Sequence, residues 1–97
     1  MPGFVYIMAN RRNGTLYTGS ATELVRRVHE HRAGAAEGFT KRYGLMMLVW
    51  FEGPYDRIEE ARLRERRIKD WRRAWKLRLI EERNPDWQDL WPLIAGV

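Results

Sequence analysis

The stretch "FVYIMANRRNGTLYTG", Phe4 to Gly19, limits the possible folds more than any other part of the chain. Its first residues place β-branched and aromatic side chains alternately on two faces, Phe4, Tyr6 and Met8 against Val5 and Ile7. That two-residue period is the mark of a strand. Asn13-Gly14 supplies a turn, since both residue types tolerate positive φ, and "TLYTG" returns as a second strand. A hairpin at the outset commits the chain to an antiparallel sheet. With 97 residues available, that sheet must share one modest core with everything that follows.

Ser20 and Glu23 fit a capping box at the start of a helix running from about Ala21 to Arg32. Gly34 and Gly38 then open a loop, "AGAAEGFTKRYG", ahead of "LMMLVWFE". The near-continuous apolar character of that segment predicts a third strand, central in the sheet and covered. Beyond Gly53-Pro54, Asp56 and Glu59 are spaced to cap a second helix that reaches about Trp71. A third helical stretch, about Ala74 to Arg83, stops at Asn84-Pro85, because the residue before a proline is pushed out of helical geometry. The order β-β-α-β-α-α predicts an α+β fold, a small three-stranded antiparallel sheet flanked by helices. It is expected to form one domain over 1–97, with 82–97 as a C-terminal helical extension.

No apolar run approaches the roughly 20 residues needed to span a bilayer. The start, "MPGFVYIMAN", lacks the basic opening and cleavage signal of a secretory peptide. There are no cysteines, which excludes a disulfide framework and a thiolate zinc site. The expectation is a soluble, cytoplasmic protein with no membrane association. The net charge is +5, and its distribution is uneven. Arg57 to Arg83 holds 11 of the 18 basic residues but 6 of the 13 acidic ones, so the whole excess lies in that segment. Such a field suits an anionic partner, nucleic acid above all, although a solvated helix face has the same composition.

Several side chains fall where surface residues should not. On the first helix, Leu24 and Val28 mark the inward stripe. At about 100° per residue, His31 lies roughly 20° from Leu24 and Arg27 roughly 60° from it. Two readings fit them: a satisfied core residue and an ion-pair partner, or a site that handles phosphate. On the second helix Ile58, Ala61 and Ile68 form the apolar stripe, and Glu65 falls between them. An inward carboxylate is costly unless it meets a cation, a metal or hydrogen-bond donors. An Arg27–Glu65 ion pair would satisfy it. So would one divalent ion, with Arg27 left to face an anion; magnesium suits a single carboxylate because it keeps most of its waters. Tyr6 and Tyr17 can be neighbours on one face of the hairpin. Strand tyrosines are usually packing residues, but a phenol held against a guanidinium is expected to have a lowered pKa, which would make it a candidate general base.

This ordered set resembles the GIY-YIG nuclease domain, over essentially the whole chain. Its two tripeptides correspond to "VYI", Val5 to Ile7, and "YTG", Tyr17 to Gly19, and the spacing to "RRVHEH" and to the glutamate of "RERRIKDW" is similar. The small bacterial single-domain members also share patterns like "FTKRYG", "LVW" and "NPDW". The first tripeptide here lacks its leading glycine and the second has Thr18 in its middle, changes that remove no reactive group. The resemblance implies Tyr6, Tyr17, Arg27, His31 and Glu65 as catalytic residues, with Gly19 in a backbone role and a weaker match at Asn84.

It further implies a metal-dependent DNA endonuclease, with repair or recombination as its setting. Glu65 would hold one Mg²⁺ or Mn²⁺ against the scissile phosphate, and Arg27 would neutralise charge in the transition state. Tyr6, the preferred base, would take the proton of the attacking water, His31 would relay from it, and Tyr17 would position the water or phosphate. Lys41, Arg42, Arg66 and Lys69 would hold DNA through its phosphates. The alternative is a nucleic-acid-binding module that is inactive alone and needs a partner. The pairs Trp71/Trp75 and Trp87/Trp91, four residues apart, would serve it as core or as stacking platforms. A further reading makes "DWQDLWPLIAGV" a contact surface for another protein or a second copy.

Overall fold

The computed structural model describes residues 1–35 and 38–96. In chain order its elements are β1 (Gly3–Ala9), β2 (Leu16–Ala21), α1 (Leu24–Arg32), α2 (Phe39–Tyr43), β3 (Met47–Tyr55), α3 (Ile58–Asp70), α4 (Arg73–Arg83) and α5 (Trp91–Ala95). The three strands form one antiparallel sheet in the order β2-β1-β3. The α+β class is therefore as expected, with two short helices added. No described helix is long and apolar enough to cross a membrane.

The β1–β2 hairpin runs in register from Phe4↔Ala21 to Ala9↔Leu16, and Asn13 takes a positive φ of 56° in its turn. Val5 through Ala9 are completely buried, because helices cover both faces of β1. Val5, Ile7 and Ala9 meet Ile58, Ala61 and Ile68 of α3 and Ile80 of α4. Tyr6 and Met8 meet Leu24 and Val28 of α1, with Leu45 and Leu48.

β3 is an edge strand, not the central one. Its apolar run reflects two covered faces, Val49 and Trp50 on the α3 side and Leu48 on the α1 side. Its outer edge is closed by the chain itself. Asn84 Nδ2 donates to the Val49 carbonyl (3.0 Å), the Leu48 amide donates to Asp89 Oδ1 (3.1 Å), and the Leu90 amide donates to the Leu48 carbonyl (2.7 Å). The strand also continues through Gly53-Pro54 to Tyr55, where an edge tolerates the missing proline donor.

Both expected caps are replaced. Ser20 belongs to β2, and α1 begins at Leu24 after Glu23, with no side-chain cap. At α3 neither Asp56 nor Glu59 caps; Arg57 holds the cap position and the free Ile58 amide donates to the Met1 carbonyl at 2.8 Å. Within the expected loop before β3, α2 forms one helical turn and ends at Gly44 in the left-handed region. Ala36 and Glu37 of that loop, and Val97, lie outside the described residues.

Candidate active site

Alternation along β2 sends Tyr17 and Gly19 to the face shared with Tyr6, and Leu16, Thr18 and Ser20 to the opposite face. Tyr6 lies directly across from Gly19 in the register. A Cβ at position 19 would sit 2.6 Å from the Tyr6 hydroxyl and 2.9 Å from the Tyr17 ring. Only glycine lets the first phenol lie flat across the neighbouring strand. The Tyr6 and Tyr17 ring centroids are 6.3 Å apart, and the His31 ring stands 5.6 Å and 5.5 Å from them.

His31 arrives from α1 together with Leu24 and Val28, all buried. Its Nε2 pairs with the Tyr6 hydroxyl at 2.8 Å and its Nδ1 with Thr40 Oγ1 at 2.9 Å. Burial, helped by the charge of Arg27, pushes the imidazole pKa down to about 4, so it is neutral at neutral pH. A neutral imidazole accepts through one nitrogen and donates through the other. The Arg27 guanidinium acts on the Tyr6 phenol from one side. The buried hydroxyl hydrogen needs an acceptor, and His31 Nε2 provides it. The chain of donation therefore runs from Tyr6 to His31 to Thr40.

The expected lowering of the Tyr6 pKa is corrected. Burial raises it well above the ordinary phenol value, the neighbouring Tyr17 adds to that, and Arg27 offsets only part. Tyr6 is 0% exposed. The cost of placing phenolate charge in that surrounding exceeds the gain from one guanidinium.

The expected Arg27–Glu65 ion pair is absent among the described residues. Arg27 is half-exposed and pairs with Glu30 on its own helix (3.2 Å). Burial disfavours its charge, but hydrogen bonds to Tyr6 and Glu30 outweigh this and raise its pKa. Glu65 approaches from α3 around the outer side of β2. Ser20 Oγ donates to its Oε1 at 2.5 Å, and Lys69 Nζ lies 2.6 Å from its Oε2. The same ammonium stands 5.7 Å from the Tyr17 ring centre. Ser20 lines both the pocket that contains Arg27 and the one that contains Glu65, and both charges act on the Tyr6 phenol, so the two groups flank the β2 edge.

Lys41 and Arg42 are exposed on α2, while Arg66 and Lys69 line a pocket with Ser20 and Glu65. Asn84 stands apart from this site. It is 5% exposed and binds Val49 and Gln88 through both ends of its amide, which makes it a structural residue of the β3 edge. Trp87 and Trp91 do not pair: Trp87 joins the α3-side core, while Trp91 packs on the α1 side under Arg32. Trp71 and Trp75 do meet, edge to face at 6.1 Å.

Ser20 and Thr40 are site residues that sequence reasoning missed. Strand parity, which puts Ser20 opposite to Tyr17, contains the signal for the first. Nothing periodic marks the second.

Among the described residues no three His, Cys, Asp or Glu side chains cluster to hold a metal. What is present is one partly exposed carboxylate beside a hydroxyl, with a mobile-headed lysine in the cation position. This donor set fits an ion that keeps most of its water and borrows phosphate oxygens, provided Lys69 gives way.

The model of the GIY-YIG catalytic domain matches residues 2–78. The chain is similar to a UPF0213 protein of Staphylococcus aureus, at 42% identity over 77% of this chain and 89% of that one. A UPF0213 protein of Halobacterium salinarum is also 42% identical, over 66% of this chain and 82% of its own. Among solved structures, the solution NMR structure of a UPF0213 protein from Bacillus halodurans is similar, with a TM-score of 0.57 and 28% identity over 96% of this chain and 97% of that one. With a matched span covering both tyrosines, the arginine, the histidine and the glutamate, the chain belongs to the GIY-YIG family, a family of nucleases.

Proposed function

We propose that this protein is a divalent-metal-dependent endonuclease that hydrolyses DNA phosphodiester bonds, with Tyr6, Tyr17, Arg27, His31 and Glu65 as its working residues. The observation that carries the reading is the meeting of a carboxylate, a guanidinium and a hydrogen-bonded Tyr6–His31 pair astride one strand edge.

A bare phenolate is too costly at Tyr6, so the base works as a relay. As Tyr6 takes the proton of the attacking water, its own hydrogen passes to His31 Nε2, and Thr40 holds the ring in place. The phenol oxygen is covered in the resting protein. Arg27, which pairs with Glu30 in the resting protein, turns to the phosphate and places positive charge where the transition state is most negative, and the same movement lets water reach the phenol oxygen. Tyr17, closer to solvent, orients the water or a phosphate oxygen. Glu65, with Ser20 beside it, would hold Mg²⁺ or Mn²⁺, which supplies Lewis-acid stabilisation of the phosphate and the leaving oxygen. Lys41, Arg42, Arg66 and Lys69 serve as phosphate contacts.

Nicking of supercoiled plasmid and cutting of branched DNA in Mg²⁺ or Mn²⁺ test the reading. Glu65→Gln and Arg27→Ala are each expected to lower the rate by about 10²–10³-fold, the scale of losing one transition-state contact. Equal cleavage by all three proteins would mean that a contaminant is cutting. Salt-sensitive binding with no cleavage by any of them favours the partner-dependent binding module instead.

A further inference from the structure

We propose a second phosphate subsite, formed by Arg11, Arg73 and Lys76, that holds the nucleic-acid backbone a few nucleotides from Glu65. It rests on the nuclease reading and adds the path of the strand. The three cations line a surface pocket of about 440 Å³ between the hairpin turn and the start of α4, with Asn13, Gly14, Thr15 and Leu16 as its remaining wall. Among the described residues no acidic side chain lines it. The pocket is built rather than incidental. Arg73 Nη2 donates to the carbonyls of Asn13 (2.9 Å) and Gly14 (2.6 Å), tying the turn to the helix.

Among the described residues none of these three cations has a carboxylate within ion-pair distance, whereas Arg26, Arg27, Arg32, Arg57, Arg64 and Lys69 each do. Like charges around one hollow repel one another and gain from an anion between them.

The placement specifies a polymer. Leu16 lines this pocket, and Ser20 lines the one that also contains Glu65, Arg62, Arg66 and Lys69. Four residues of extended chain separate them, about 14 Å along β2. That equals about four base-pair rises along the axis of B-form DNA, so a strand must run on for more than one nucleotide to touch both pockets. A single anion fills one pocket; a phosphodiester strand laid along β2 reaches both.

The test uses the full chain carrying Glu65→Gln, without divalent ion, and labelled single-stranded DNA lengthened one nucleotide at a time. Affinity is expected to show an extra step once the strand spans both pockets. Arg11→Gln with Lys76→Gln should abolish that step and lower the slope of log affinity against log salt by about 0.7 for the phosphate lost. Arg73 is left intact because it holds the turn. Arg11→Lys with Lys76→Arg, which keeps both charges, should restore step and slope and so separates charge from misfolding.

An unchanged length profile and salt slope in the glutamine variant would overturn the subsite. So would inorganic phosphate displacing the long strand at concentrations matching its own binding to this pocket, since that describes a free-anion site. If the step is present but wild type never cuts, the subsite stands and the nuclease reading falls. If wild type cuts and the step is missing, only the subsite falls.

Discussion

Along β3 the outer edge of the sheet is closed by the chain's own Asn84, Asp89 and Leu90, whereas along β2 it is flanked by Glu65 and by cations from α3 and α4. Near β3, Arg64 meets Glu52 (3.0 Å) and Arg32 meets Asp89 (2.6 Å). Near β2, Lys69 meets Glu65 (2.6 Å), but among the described residues Arg11, Arg73 and Lys76 meet no carboxylate. An unsealed edge is a hazard that proteins usually blunt; here one edge is blunted by chain, and the proposed chemistry lies at the other. On that proposal, stability and reactivity fall on opposite sides of the same three strands.

The largest expected effect comes from opening the sealed side. Ending the chain at Asn84 removes buried Trp87 along with Leu90 and Trp91, and should cost about 5 kcal/mol or more by the scale of large core deletions. Denaturant unfolding of the truncated chain checks it. A midpoint equal to that of the full chain would show that the segment covers nothing, and would return it to the role of a surface for partners.

Acid reaches the other side through His31. Its folded pKa of about 4 lies below the ordinary 6.5, so the unfolded chain binds more protons between those values. Stability from the neutral imidazole is complete above about pH 6.5 and is lost as pH falls towards 4. The loss is on the order of 3 kcal/mol. His31→Gln should flatten the unfolding free energy in that window; an identical slope in both proteins would remove His31 as the responsible group.

Asn84→Ala deletes three hydrogen bonds of a buried amide and is expected to cost about 2 kcal/mol while leaving cleavage intact. A drop in rate at unchanged stability would place it in the site after all. Smallest in stability is Gly19→Ala, about 1–2 kcal/mol, because the added methyl drives the Tyr6 ring aside. Its rate loss should exceed its stability loss if the displaced ring carries the proposed proton relay. Thermal melts beside nicking rates give the ratio.

The hairpin, the inward faces of α1 and α3 and the family set were legible because period and order are local properties. Ser20 was misread for a physical reason. Its hydroxyl satisfies a capping pattern with Glu23, but a carboxylate 45 positions away competes for it and wins. β3 looked central because an apolar run reports covered faces, which helices supply here on both sides, whereas its edge is closed by C-terminal hydrogen bonds that have no sequence period. The Tyr6 pKa depends on the balance between burial and one cation, which only three-dimensional packing decides.

Lys69 has a consequence of its own. Because its ammonium already lies against the Glu65 carboxylate, that charge has a counter-ion from its own helix. On the proposed mechanism, chelators should silence cleavage without loosening the fold. Loading a divalent ion would exchange one positive group for another, leaving the displaced lysine close by to meet the negatively charged strand.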